Sequence, residues 1–189
     1  MNLYDESRAP RSARKGGTFY AEDLVAAREQ GRVMSEASHV IRAEEQIWED
    51  SPQGRLKHIA HPKLSANVTD IEAYIQELPP DGRSGKHRHM AEEFIFVLEG
   101  TGYSLHWDVR AEVRDEYHWH AEDTPRRVEW AAGDWMYVPV NTIHQHFNTD
   151  GEEPARILCA ASMLFKWLGW HDLEQLEDAP RPTEAEATH

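Results

Sequence analysis

A chain of 189 residues with 34 acidic and 20 basic side chains carries a formal net charge of −14 at neutral pH. That length suits one domain with a sizeable core, and that charge repels phosphate backbones and anionic bilayers, excluding nucleic acid and membrane surfaces as expected partners. A single cysteine, Cys159, leaves no intrachain disulfide. No run approaches the ~18 apolar residues of a membrane span. The opening segment lacks the apolar core of a signal peptide, so a soluble, cytoplasmic protein is expected.

Residues 1–20 mix arginines with Pro10, Gly16 and Gly17 and read as a loosely docked arm. Residues 21–30 predict a short helix, with acids in its first turn and Gly31 ending it, so 1–37 forms an N-terminal helical arm. From residue 38 the pattern changes to short apolar or alternating runs punctuated by Pro, Gly, Asn and Asp. Strands are expected at 39–41, 55–59, 71–78, 93–98, 102–109, 127–131, 135–138, 144–148 and 155–161. Many short strands with regular turn signals define an all-β antiparallel sandwich or barrel over 38–170. The polar stretch 110–125 reads as a long loop or an excursion from a hairpin. Residues 163–170 are apolar and close the domain as a last strand or docking segment. Residues 171–177 read as a short helix that opens an acidic, solvated tail over 171–189.

Chemistry concentrates in Lys86–Gly100. In a strand, residues two apart share a face, so His87 and His89 project together with Arg88 opposite. Glu93 returns to the same point if the chain bends near Met90-Ala91-Glu92. Two imidazoles and a carboxylate converging on one point would hold a divalent transition metal; the plainer alternative is a surface strand with solvated histidines. A second stretch, Gly133–Asn148, brings His144 after a Pro139-Val140-Asn141 turn.

Together these stretches resemble the cupin superfamily. Its first motif runs glycine, five residues, His-x-His, three or four residues, Glu, six residues, Gly; His87, His89, Glu93 and Gly100 match it. Its second motif runs Gly, five residues, Pro-x-Gly, two residues, His, three residues, Asn; Gly133, Pro139, His144 and Asn148 match it. Two positions depart. The leading glycine is Gly82, one residue closer than usual, and Asn141 stands in the Pro-x-Gly glycine's place, where Asn also tolerates positive φ. The resemblance implies a double-stranded β-helix, the cupin jelly roll, and a homodimer. It also implies one divalent transition metal held by His87, His89, Glu93 and His144, with two positions left open for substrate or O2. Fe(II) is the favoured metal, with Mn(II), Zn(II) and Ni(II) as alternatives.

Three functions follow. The first is an Fe(II) dioxygenase acting with O2 on a small organic, possibly aromatic, substrate. The run Glu93–Gly100 looks like gentisate dioxygenases, although those enzymes typically use three histidines and no carboxylate. The second is a lyase, isomerase or decarboxylase using the metal as a Lewis acid, with His146 or His106 moving the proton. The third is a cupin that binds a small ligand without turnover. His146 shares the phase of His144 and faces the interior, as a site group or an ordinary interior histidine. His106 is a second catalytic candidate, or else solvent-facing. Tyr74 and Gln76 share one face of their strand. They bind substrate if that face lines the cavity, and point outward if Ile71, Ala73 and Ile75 face the core. Trp135 is a substrate-wall candidate, or core packing like Trp107 and Trp130. A second His-x-His, His118-Trp119-His120, has no carboxylate at the same spacing and reads as an exposed edge or lid. Cys159 reads as a small core residue.

Overall fold

The computed structural model describes residues 18–180; the arm expected over 1–17 and the tail from 181 lie outside the described residues. Two compact units meet between Ala37 and Ser38. The first holds helix α1 (Phe19–Glu36), with Thr18 at its N-cap and no buried side chain. The expected stop at Gly31 is corrected. A glycine inside a helix costs only about 1 kcal/mol relative to Ala, and Arg32 pairs with both Glu29 and Glu36 across that turn.

The second unit is built from strands β1 (Ile47–Ser51), β2 (Gly54–Ala60), β3 (Ile71–Leu78), β4 (Lys86–Arg88), β5 (Glu93–Glu99), β6 (Thr101–Trp107), β7 (Val109–Val113), β8 (Tyr117–Ala121), β9 (Arg126–Ala131), β10 (Trp135–Val138), β11 (Ile143–Asn148) and β12 (Ala155–Ser162). A one-turn helix α2 (Leu164–Trp167) and strand β13 (Glu174–Glu177) follow. A six-stranded sheet runs β1-β2-β3-β12-β5-β10, and a five-stranded sheet runs β13-β4-β11-β6-β9. The paired strands are antiparallel. This is the expected double-stranded β-helix jelly roll. Alternation makes the core: along β12, Ala155, Ile157, Cys159 and Ala161 are buried while their neighbours are not. Leu78, Ile95, Val97, Trp130, Met136 and Val138 complete it. Gly100, at φ 87°, closes the β5–β6 turn against Ala155, where an added Cβ would come within 2.7 Å of the Ala155 Cβ.

Three local expectations are corrected. Residues 39–41 form no strand. The first strand is β1, which the Pro52-Gln53 turn folds onto β2. The stretch 110–125, expected as a loop or a hairpin excursion, contains the β7–β8 hairpin, a separate two-stranded sheet. Its strands stand largely in solvent, although Val109-Arg110-Ala111-Glu112-Val113 alternates apolar and polar residues. Residues 163–170 contain helix α2 instead of a strand. Residues 171–177 do not form a helix: Glu174-Gln175-Leu176-Glu177 pairs with β4 as a strand. Tertiary pairing overrides local preference there, because β4 offers an open ladder edge.

Candidate metal centre

The site lies between the two sheets. His87 on β4 stands in register with His144 on β11, and the two rings lie 4.2 Å apart between centroids. His89, just beyond β4, brings its ring to 5.2 Å from His144. The turn that delivers His144 is tight, with Thr142 N–H bonded to Pro139 O at 3.1 Å and Asn141 at φ 62°. Glu93 enters from β5 in the opposite sheet. Its Oε2 lies 3.4 Å from His144 Nε2 and 3.7 Å from His89 Nε2. All four side chains are buried, His89 the most accessible at 7 %.

Hydrogen bonds to the far side of two rings determine what faces the centre. His89 Nδ1 is 2.8 Å from Ala91 O, and His144 Nδ1 is 2.8 Å from Thr142 O. A carbonyl only accepts, so both Nδ1 atoms carry the proton in the neutral rings and both Nε2 atoms present bare lone pairs. Among the described residues, His144 Nε2, Glu93 Oε2 and His87 Nδ1 are buried with no hydrogen-bond partner. Burial alone would raise the Glu93 pKa, but His144 and His89 hold it well below the usual carboxylate range. Burial and the neighbouring His144 push His87 well below an ordinary imidazole. Burial opposes protonation of His89 too, yet Glu93 and the Ala91 carbonyl raise it. Lone pairs and a carboxylate oxygen crowded into one buried point are relieved by a cation. The donor set, imidazole nitrogens with a carboxylate, therefore fits a metal ion.

The surroundings include residues that spacing did not reveal. Tyr74 O–H donates to Glu93 Oε1 at 2.9 Å, and Gln53 Nε2 donates to Tyr74 Oη at 2.9 Å. Gln53 Nε2 also lies 3.3 Å from His87 Nε2. Gln53 sits in a hairpin turn 34 residues before His87, where no local pattern marks it. Ser104 Oγ accepts from Trp130 Nε1 at 3.0 Å and contacts His146 Nδ1 at 2.7 Å.

The other candidates divide. Tyr74 and Gln76 do face inward; the reverse phase is corrected by Ile71, 57 % exposed. Gln76 Nε2 donates to Gln53 O at 2.8 Å, and its Oε1 has no partner among the described residues. His106 is not solvent-facing: it pairs with His144 across β6–β11, is 1 % exposed, and neither ring nitrogen has a hydrogen-bond partner among the described residues. Burial, with His144 nearby, lowers its pKa to about 4. His146 is lowered to about 3 by burial, again with His144 nearby. Trp135 is corrected as a substrate wall. It is 70 % exposed on the outer face of β10, packed on Phe96 at 4.9 Å between centroids. Trp130 is core, and Trp107 lies under the Lys86 ammonium at 3.8 Å. Cys159 is buried in the core, and burial pushes its thiol up.

A jelly-roll barrel with a buried histidine–carboxylate cluster is the class that this fold and site define. Residues 74–161 match the family model described as a cupin domain. The chain is similar to two auxin-binding proteins of Nicotiana tabacum. T85 is 26 % identical over 108 residues, covering 55 % of this chain and 54 % of the relative. T92 is 27 % identical over 104 residues, covering 53 % of this chain and 52 % of the relative. The chain thus spans about half the length of the curated relatives it matches. Among solved structures it resembles oxalate decarboxylase of Bacillus subtilis, studied for its Mn(II) centres, with a TM-score of 0.51 at 21 % identity, covering 64 % of this chain and 28 % of that one. Another oxalate decarboxylase structure gives 0.50 at 21 % identity, covering 62 % and 28 %. At that identity the likeness is one of fold. Among the described residues no helix is long and apolar enough to cross a membrane.

Proposed function

We propose that the protein is a metal-dependent cupin enzyme, an Fe(II) dioxygenase for a small organic substrate, with the metal held by His87, His89, Glu93 and His144. The observation that carries this reading is the meeting of bare His89 and His144 Nε2 lone pairs with the unpartnered Glu93 Oε2 in one buried point. Mn(II), Zn(II) and Ni(II) suit the same donors. When bound, the ion supplies Lewis acidity and, as Fe(II), electron transfer to O2.

The chain's own residues do the rest. Tyr74, steadied by Gln53, engages Glu93 Oε1 and leaves Oε2 for the centre. Proton-transfer chemistry at neutral pH favours a group titrating near 7. His106, at about 4, and His146, at about 3, are instead neutral there. Their role in this reading is to hold an oxygen-bearing substrate by hydrogen bonds. A second reading, small-ligand binding without turnover, is supported by the similarity to proteins described as auxin-binding.

The test is anaerobic loading with Fe(II), then oxygen uptake against phenols, diketones and hydroxy acids. Uptake with one class supports the dioxygenase. Turnover under argon sinks it in favour of non-oxidative chemistry, and ligand-induced thermal stabilisation without any turnover favours the binding protein. The expected homodimer draws support from exposed aromatics on the outer face of β5 and β10, namely Phe94, Trp135 and Tyr137. Trp135→Glu should lower the mass seen by sedimentation; an unchanged monomeric mass in the wild type sinks the dimer.

A further inference from the structure

The first histidine of the first motif rides on a strand only three residues long, and the second follows directly after it. In register, β11 holds that strand through His87 alone, opposite His144. Ligand geometry is sensitive to small displacements, so something else must hold β4 in place. Arg88, between the two histidines and pointing away from them, meets three acceptors. Its Nη1 donates to Asn141 Oδ1 at 2.6 Å and to Asp172 Oδ2 at 2.8 Å, and its Nε donates to Glu174 Oε2 at 2.7 Å. Asn141 is fully buried, and its backbone N–H donates to His89 O at 2.9 Å. One asparagine therefore grips the backbone of one proposed ligand and the side chain beside it, from within the turn that delivers His144. On the other flank β13 pairs Glu174 with Arg88 and Gln175 with His87, and Met90 N–H donates to His171 O at 3.0 Å.

We propose that Arg88 and Asn141, with the 171–177 strap, form a latch that holds the His87–His89 strand against the His144 turn and thereby sets metal affinity. They are positioning residues: neither touches the centre. Positive φ explains why the Pro-x-Gly position accepts Asn, but not why it would prefer Asn to Gly. The bond to Arg88 supplies that reason. The inference rests on the metal-centre reading above.

Asn141→Gly isolates the side chain, because glycine keeps the φ 62° turn. Arg88→Lys keeps the charge but loses the planar fork that serves several acceptors. Co(II) and Mn(II) are titrated into wild type and both variants in competition with a chromogenic chelator, beside thermal unfolding and hydrogen exchange of metal-free protein. The expected result is affinity lowered about tenfold in both variants, in the range for groups that orient ligands. Unfolding midpoints stay close to wild type, and the Met90 amide exchanges about tenfold faster. Wild-type affinity and exchange in both variants would overturn the latch. So would an affinity loss that only tracks a fall in global stability. A wild type that binds neither metal removes the metal-centre reading instead, and the Met90 exchange rate still decides whether the latch exists.

Discussion

Of the chain's three His-x-His triplets, two end in opposite environments. His87-Arg88-His89 lies between two sheets, with its histidines 2 % and 7 % exposed, a third imidazole in register and a carboxylate from the facing sheet. His118-Trp119-His120 lies on β8 of a separate two-stranded hairpin. Its rings stand 6.4 Å apart and nearly parallel, its histidines are exposed, and His120 reaches only the exposed Glu112 at 3.3 Å. Both triplets place two imidazoles on one strand face, because a strand does that for any residues two apart. What separates them is the second wall. Burial removes water as an alternative partner for the lone pairs, and only the first triplet has strands on either side to supply that burial.

The sharpest way to break this contrast is to remove one imidazole from each triplet. His87→Ala should reduce metal content of the purified protein to background by elemental analysis, and His144→Ala should do the same. His87→Ala with unchanged bound metal would end the assignment. A smaller effect is expected from Tyr74→Phe, which leaves Glu93 Oε1 without its 2.9 Å donor. Metal affinity should fall about tenfold in chelator competition; an unchanged affinity would mean that the Tyr74 hydroxyl does not tune the centre.

Acid should loosen the metal-free barrel through its interior histidines. His106 and His146 have folded pKa values of about 4 and about 3, below the ~6.5 of an unfolded imidazole. The unfolded chain therefore binds more protons between those values. The stability tied to the neutral rings is complete above pH ~6.5 and drains as pH falls towards 4, on the order of 1 kcal/mol per pH unit for each ring. Urea midpoints from pH 7.5 to 4.5 measure this. His106→Gln should flatten the slope, and an equal slope would remove His106 from the account. The smallest effect belongs to the second triplet. His118→Ala and His120→Ala should leave metal content unchanged and shift stability by no more than about 0.5 kcal/mol, as exposed substitutions do.

Legibility in the sequence followed range. β3 and β10 have the expected limits, because alternation against a core writes a period of two into those runs. The hairpin β7–β8 was legible only as one of two alternatives, and strand β13 was not, since an available ladder edge imposes no apolar pattern. The same division runs through the site. His87, His89, Glu93 and His144 could be named from spacing within two short stretches. Gln53, Ser104 and the role of Asn141 could not, because their partners are 34, 42 and 53 residues away in sequence.

By itself, then, the sequence determined the all-β class and the turn that carries His144, properties of local period and backbone preference, while the proposed ligand set followed from the motif resemblance. Only the tertiary structure decided which face of β3 lines the cavity, that His106 is buried while Trp135 is not, and that a C-terminal strand clamps the histidine strand. Each of those depends on register between distant strands. A shift of one residue there would exchange inside for outside without altering any local pattern.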